Sequence, residues 1–227
     1  MSVIFTTLFW SIFAVVLACA EIESEGRKGW AENAPTWFRV TPWYARAYGL
    51  VMGRKPLTGY HLFMFFMPFL LFHAQFVMGL GWSAERELLA LAMYFSVCPL
   101  WDYHWFVLNP WYQGKFTKTD VWWHARSYWI FSLFPVDYLI GFGLSILLAG
   151  TAAWVATDAW LIQKHLLTLL GFGIFTVGLH LAAPLYRQWY WHMRRRGTDE
   201  RRLAGIFETP FPKEISKHLR FRNGHNL

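Results

Sequence analysis

Residues 3–20 read VIFTTLFWSIFAVVLACA, a stretch without a single charged side chain. An α-helix needs ~20 mostly apolar residues to cross the ~30 Å hydrocarbon core of a bilayer, so this stretch is long enough for one membrane span. Four further stretches of similar length and composition follow, at residues 57–80, 88–108, 135–155 and 161–185. The sequence therefore predicts an all-α fold, a polytopic membrane bundle of about five transmembrane helices.

Composition and cysteine usage exclude several other classes of protein. Hydrophobic residues make up 56% of the 227 residues and charged residues only 15%, whereas soluble domains contain ~25% charged residues. Cys19 and Cys98 both lie in apolar stretches and form neither a disulfide framework nor a cysteine metal motif. The sequence also has no Walker loop, no G-x-G-x-x-G and no G-x-S-x-G, the motifs of nucleotide-binding proteins and α/β-hydrolases.

The basic residues alternate as expected for five spans. Nineteen of the 21 lysines and arginines lie in residues 21–56, in residues 109–134 or after residue 185, and only Arg86 and Lys164 lie elsewhere. Because Lys and Arg accumulate in cytoplasmic loops, the sequence predicts a multi-pass inner-membrane protein with its N-terminus outside and its C-terminus in the cytoplasm. The net charge of +7 then predicts membrane lipids of the anionic inner leaflet as partners and not nucleic acid, since the basic groups flank apolar spans.

A cleavage signal would offer a second interpretation of the first span. VLAC at residues 16–19 resembles a lipoprotein cleavage box, and ACA at 18–20 resembles a signal-peptidase site. A secretory signal begins with a positively charged segment, but residues 1–18 contain no lysine or arginine, and Arg27 and Lys28 follow the apolar run. This charge distribution favours an uncleaved anchor.

The spans divide the chain into a bundle and a tail. Residues 1–186 are predicted to form the transmembrane bundle, with interfacial segments at 21–56 and 109–134, and residues 187–227 a basic cytoplasmic tail. Within the first segment, Thr41-Pro42 is typical of a helix N-terminus and predicts a short helix over residues 43–52, which Gly53 ends. This helix is expected to lie on the cytoplasmic leaflet.

Most ionisable residues of the spans gather near the predicted cytoplasmic face. Such groups are costly in a membrane, so they usually face the bundle interior, pair with one another or serve function. The groups at the inner level are Glu21, Glu23, Glu25, His61, Asp102, His104, His124, Asp137 and His180, and those in the outer half are His73 and His165.

Carboxylates and imidazoles at one level could hold a Zn, Fe or Mn ion, because these metals use such ligands and helix bundles often enclose them. In a continuing helix Glu21 and Glu25 share a face while Glu23 points away, which leaves Glu23 as a substitute. Asp102 and His104 are about 200° apart on a helix, and the buried carboxylate has the greater need of a cation. The predicted metal ligands are therefore Glu21, Glu25, His61, Asp102 and His124.

Three functions are compatible with these observations. The first is a metal-dependent enzyme that acts at the cytoplasmic membrane face on a lipid-soluble substrate. The second is a non-enzymatic structural or accessory subunit that packs against a membrane complex or another copy of the chain, with Asp102 paired to an arginine and the glutamates solvated. The third is a b-type cytochrome that carries electrons through two haems, with His61, His180, His73 and His165 as alternative haem ligands.

Overall fold

The computed structural model describes residues 2–112, 116, 118, 127–132 and 134–194, and this part of the chain is mostly helical. Its helices are α1 (Val3–Glu25), α2 (Trp43–Val51), α3 (Gly59–Val77), α4 (Ala84–Leu108), α5 (Val136–Ala156) and α6 (Trp160–Met193). Two short antiparallel pairs of strands join them, β1 (Phe38–Arg39) with β2 (Leu57–Thr58), and β3 (Trp129–Ile130) with β4 (Phe134–Pro135). The chain divides into two compact units, Met1–Arg187 and Gln188–Leu227.

Four of the helices, α1, α3, α5 and α6, are long and apolar enough to cross a membrane. The predicted stretch 88–108 also forms a helix, α4, but this helix is not among the four. It carries Glu85 and Glu87 in its first turn and Asp102 near its end, and these residues lower its hydropathy. A fifth membrane span thus remains a prediction.

The helices end at other residues than hydropathy indicates. α1 continues beyond the apolar stretch as far as Glu25, where Gly26 adopts a positive φ of 64°. α6 likewise runs to Met193, beyond the predicted end at residue 185. The reason is that hydropathy marks the apolar part of a helix, while hydrogen bonding of the backbone continues through polar residues.

The predicted interfacial helix is present as α2, with a different start. Pro42 has an extended conformation and is the N-cap, and no side chain caps the helix. The prediction of Thr41 as N-cap and Pro42 as the first helical residue was therefore wrong by one position. At the other end, Met52 follows the last helical residue, and Gly53 has a φ of +61°.

α4 is the central helix of the bundle and packs against α1, α3 and α5. Along its contact with the antiparallel α5, three pairs of side chains meet in register: Ser96 with Ser145, Pro99 with Gly141, and Asp102 with Tyr138. The three α4 residues are spaced three positions apart along the chain, and the three α5 residues are spaced three or four apart. Residues at these spacings lie on the same face of a helix. The contact between α4 and α5 places Asp102 near one end of the bundle.

Polar groups inside the bundle are joined to one another. His165 Nε2 lies 2.6 Å from Ser145 Oγ, Ser145 Oγ lies 2.5 Å from Ser96 Oγ, and Ser96 donates to the carbonyl oxygen of Ala92 at 2.8 Å. All three side chains are buried. Such contacts hold helices together in an apolar environment, where an unpaired polar group is costly.

Gly171 is a point of close approach between α1 and α6. A Cβ atom on Gly171 would lie 2.7 Å from the Thr7 side chain, whereas a Cβ on Gly173 or Gly178 would have no heavy atom within 4 Å. All three glycines lie on α6. Only Gly171 has this role in the structure.

We expect Gly171→Ala to lower stability by about 1–3 kcal/mol, the usual cost of forcing an extra group into a packed interior. Gly173→Ala is the matched control, since it makes the same change two residues along the helix in open space. Thermal unfolding of both variants in the same detergent measures the difference. Equal stability of the two variants would contradict the packing of α6 against Thr7.

Candidate functional site

A pocket lies where the end of α1, the start of α3 and the end of α4 meet. Its wall combines three carboxylates (Glu21, Glu25, Asp102), one imidazole (His61), one thiol (Cys98) and four aromatic rings (Trp30, Phe65, Trp101, Trp105). The cavity has a volume of ≈ 30 Å³, whereas about 10–15 Å³ on this scale holds one water molecule. It therefore has room for an ion with one or two water molecules but not for a whole organic substrate.

Three side chains in this pocket form a compact cluster. Glu21, Glu25 and His61 each offer one ligand atom, and these atoms all lie within 4.8 Å of one another. All three residues are buried, His61 to 2% exposure. The Nε2 atom of His61 lies 3.6 Å from Oε1 of Glu25, which is beyond the usual range of a hydrogen bond.

A tight loop after α1 positions the carboxylate of Glu25. The backbone N–H of Ala31 donates to Oε1 of Glu25 at 2.5 Å, and the N–H of Trp30 also donates to this carboxylate. Both residues have positive φ angles, 44° for Trp30 and 52° for Ala31. Successive N–H groups in such a conformation form a concave anion-binding arrangement. The loop therefore fixes Glu25 with its backbone, and Asn109 supports the loop by donating to the carbonyl oxygen of Gly26 at 3.2 Å.

The strand pair β1–β2 positions His61. β2 ends at Thr58, which is also the N-cap of α3, and its hydroxyl accepts from the backbone N–H of His61 at 3.1 Å. The same oxygen lies 2.8 Å from Nδ1 of His61. The Trp30 ring stacks on the imidazole at a centroid distance of 4.1 Å. Nδ1 is thus occupied by a protein hydroxyl, and Nε2 is the nitrogen that faces the glutamates.

Asp102 lines the pocket beside the cluster. It lines the same pocket as Glu21 and Glu25, and it accepts a short hydrogen bond from the Tyr138 hydroxyl. It is not one of the three residues of the compact cluster. This position differs from that of His104, which turns towards α6 and contacts Thr176 Oγ1 through Nε2 at 2.9 Å. Two residues of sequence separation thus put the two groups on different faces of α4.

A buried cation stabilises the border of the site. Lys55 Nζ lies 3.5 Å from Oδ2 of Asp137 and 4.7 Å from the centre of the Trp30 ring. Ser127 donates to the same carboxylate oxygen of Asp137 at 2.9 Å. These contacts connect the loop before α3 with the first turn of α5. They also hold the Trp30 ring that covers His61.

The structure thus brings together four of the five predicted ligands: Glu21, Glu25, His61 and Asp102. His124 lies outside the described residues. Glu23 is exposed on the opposite side of α1, as expected for a continuing helix. The alternative of solvated glutamates does not fit Glu21 and Glu25, which are buried.

The remaining candidate haem ligands are engaged with other side chains. His73 contacts Glu87 through Nε2 at 2.9 Å, and Nε2 of His180 lies 3.1 Å from the Tyr103 hydroxyl. His165 belongs to the serine contacts between α4, α5 and α6. These contacts provide no specific support for a haem.

Several residues of the site were missed from the sequence. Thr58 could have been recognised, because a threonine three residues before His61 and next to an apolar run is typical of an N-cap. Trp30, Lys55 and Tyr138 gave no local signal, since their roles depend on contacts between distant parts of the chain.

The site can do the chemistry of buried carboxylates next to an imidazole: bind a cation, or share protons among the acids. The aromatic rings around it exclude most water, which strengthens electrostatic interactions inside. The chain matches no protein-family model, no curated protein and no solved structure.

Tyr138→Phe should destabilise the protein, because it removes a hydrogen-bond donor from the Asp102 carboxylate. A hydrogen bond to a charged group contributes about 1.5–3 kcal/mol. Tyr128→Phe is the control, since Tyr128 is 80% exposed. Thermal unfolding in detergent measures both changes. If Tyr138→Phe unfolds at the same temperature as the control, Asp102 does not depend on this hydroxyl.

Proposed function

We propose that the protein is an integral membrane protein that binds a metal ion through Glu21, Glu25 and His61. The observation that carries this proposal is the 3.6 Å separation of His61 Nε2 and Glu25 Oε1. Two ligands of one tetrahedral metal with bonds of about 2.0–2.1 Å lie about 3.4 Å apart. The pair is thus spaced like two ligands, and the whole cluster, within 4.8 Å, needs only small side-chain movements to close around an ion.

The ligand chemistry narrows the choice of metal. Two carboxylate oxygens and one imidazole nitrogen suit Zn, Fe or Mn, whereas copper(I) prefers sulfur. The charges support a cation here, because three carboxylates lie in one pocket and the nearby Lys55 is engaged with Asp137. A divalent ion would offset most of the negative charge that the bundle encloses.

The arrangement of ligands supports an enzymatic role. Three protein ligands leave a position open for water or substrate, as in catalytic metal sites. When bound, the metal would polarise an oxygen or activate a water molecule. Because the cavity is too small to enclose an organic molecule, only the reacting group of a substrate could reach it. We therefore propose that the substrate is lipid-soluble and stays largely in the bilayer.

The membrane location rests on the apolar helices and on the alternation of charge. The side chains that point away from the bundle along the helices are large and apolar, among them Phe5, Phe63, Leu147 and Leu181. Exposed apolar surface on this scale suits lipid and not water. We propose that α4 also crosses, as a span shielded by its neighbours, which places the N-terminus outside and the metal site at the cytoplasmic face.

Purified protein should contain a near-stoichiometric metal after reconstitution with Zn, Fe or Mn. Glu25→Gln and His61→Ala should each lower the metal content or affinity at least about tenfold, because each removes a ligand. Glu23→Gln is the matched control on the same helix, since Glu23 faces away from the pocket. The measurement is the metal content per protein molecule, determined by inductively coupled plasma mass spectrometry.

A second pair of variants tests the geometry of His61. Thr58→Val removes the hydroxyl beside Nδ1 and should weaken metal binding about 10–100-fold, the usual effect of losing such a partner, while Thr58→Ser should retain binding. Thr36→Val is the control, because Thr36 accepts from the backbone N–H of Tyr60 at 2.9 Å without contacting His61.

Two results would refute the metal site: a wild-type protein that binds no metal, or an equal loss of metal in Glu23→Gln and Glu25→Gln. In that case the carboxylates share protons and the accessory-subunit alternative gains support.

Cysteine labelling tests the orientation. In a background without Cys19 and Cys98, an impermeant thiol reagent applied to intact cells should label a cysteine at Ser83 or Thr157. It should not label one at Lys118 or Thr198, because the positive-inside rule places these in the cytoplasm. The reverse pattern would place the metal site on the outer face.

A further inference from the structure

The connection between α1 and α3 has an exposed surface that combines apolar side chains with arginines. The apolar members, which we call the aromatic face, are Trp37, Phe38, Val40, Trp43, Tyr44 and Leu50. The arginines of the same connection are Arg27, Arg39, Arg46 and Arg54, and all four are exposed. None of the four forms an ion pair within the described residues.

The two kinds of side chain lie next to each other on α2. Trp43 and Leu50, exposed to 75% and 86%, are seven residues apart and therefore share one stripe of the helix. Arg46 lies about 60° from Trp43 around the helix at 100° per residue, so it borders this stripe. The buried Ala45 is on the opposite side and faces the protein. α2 thus turns an apolar stripe and a guanidinium to the same side.

The chemistry of this surface matches a membrane interface. Trp and Tyr side chains favour the headgroup level, and arginine binds phosphate with two parallel hydrogen bonds. The connection joins the end of α1 to the start of α3, two helices that are long and apolar enough to cross a membrane. If these helices span, the connection lies at the level of the headgroups.

We propose that this connection binds the phosphate groups of anionic phospholipids through Arg39, Arg46 and Arg54 while the aromatic face enters the leaflet. The proposal rests on the membrane location but not on the metal site. It predicts that the protein prefers anionic over zwitterionic lipid in its boundary layer. Each basic residue near an anionic surface increases local association about fivefold.

The experiment uses the full-length protein in phosphatidylcholine vesicles that contain a trace of spin-labelled phosphatidylglycerol or spin-labelled phosphatidylcholine. The restricted fraction of each label gives the relative association constant of the two lipids. Wild type should prefer phosphatidylglycerol, and the triple variant Arg39→Gln/Arg46→Gln/Arg54→Gln should lower this preference at least about threefold. The basic residues of 188–227 are present in both proteins, so the difference reports on the three arginines. Arg86→Gln, in the connection between α3 and α4, is the matched control.

A nitroxide at position 50 tests the aromatic face independently. It should be more accessible to oxygen than to a water-soluble nickel complex, because oxygen concentrates in the bilayer. An unchanged lipid preference in the triple variant, or a label that nickel reaches freely, would overturn the proposal. A label that neither reagent reaches would show that a protein covers the face, which also overturns it. Metal content of the same preparation is a separate measurement, so loss of the metal site and loss of the lipid preference are distinguishable.

Discussion

Three carboxylates enclosed in one small pocket of an apolar bundle are the constraint on which the site depends. Glu21 and Glu25 lie one turn apart on α1, and Asp102 reaches them from α4. Carboxylates in such a place lose the hydration they would have in water, and they also repel one another if charged. The protein must therefore supply donors or a cation at each of them. The loop after α1 can be understood from this need.

The loop after α1 shows how the need is met. Trp30 and Ala31 adopt positive φ angles although neither is a glycine, and such conformations cost of order 1 kcal/mol or more each. In return, the backbone N–H groups of both residues donate to Glu25, and the Trp30 ring covers His61. Lys55 and Asn109 then hold this loop from two other elements. Positive φ angles also occur at Arg54, Phe131, Ser132 and Thr157. The donation to Glu25, and not the backbone conformation alone, therefore connects this loop with the site.

The sequence predicted the helices well and the site in part, for different physical reasons. Hydropathy depends only on local composition, so it located all five long helices of the described residues, although it misjudged the ends of α1 and α6. Helical periodicity placed Glu21 and Glu25 on one face and separated Asp102 from His104. The partners Tyr138, Lys55 and Trp30 could not be predicted, because their contacts join residues 25 or more positions apart or depend on unusual backbone angles. α4 was the hardest helix to classify. Neighbouring helices bury much of α4, so the polar residues at its end face protein. The hydropathy of α4 therefore does not indicate whether the helix lies in a membrane.

The position of the site at the helix ends is consistent with the proposed function. A metal in the middle of the bundle would be out of reach of water, while one outside it would have no apolar surroundings to receive a lipid-soluble substrate. At the ends of α1 and α4, the carboxylates lie between the apolar part of the bundle and the aromatic connection that precedes α3. Trp30 and Thr58 belong to this connection and also contact His61. The segment that we propose to bind lipid headgroups therefore also orients the imidazole of the proposed metal site. If the connection lies in the leaflet as we propose, a change in its position would alter the contacts that Trp30 and Thr58 make with His61.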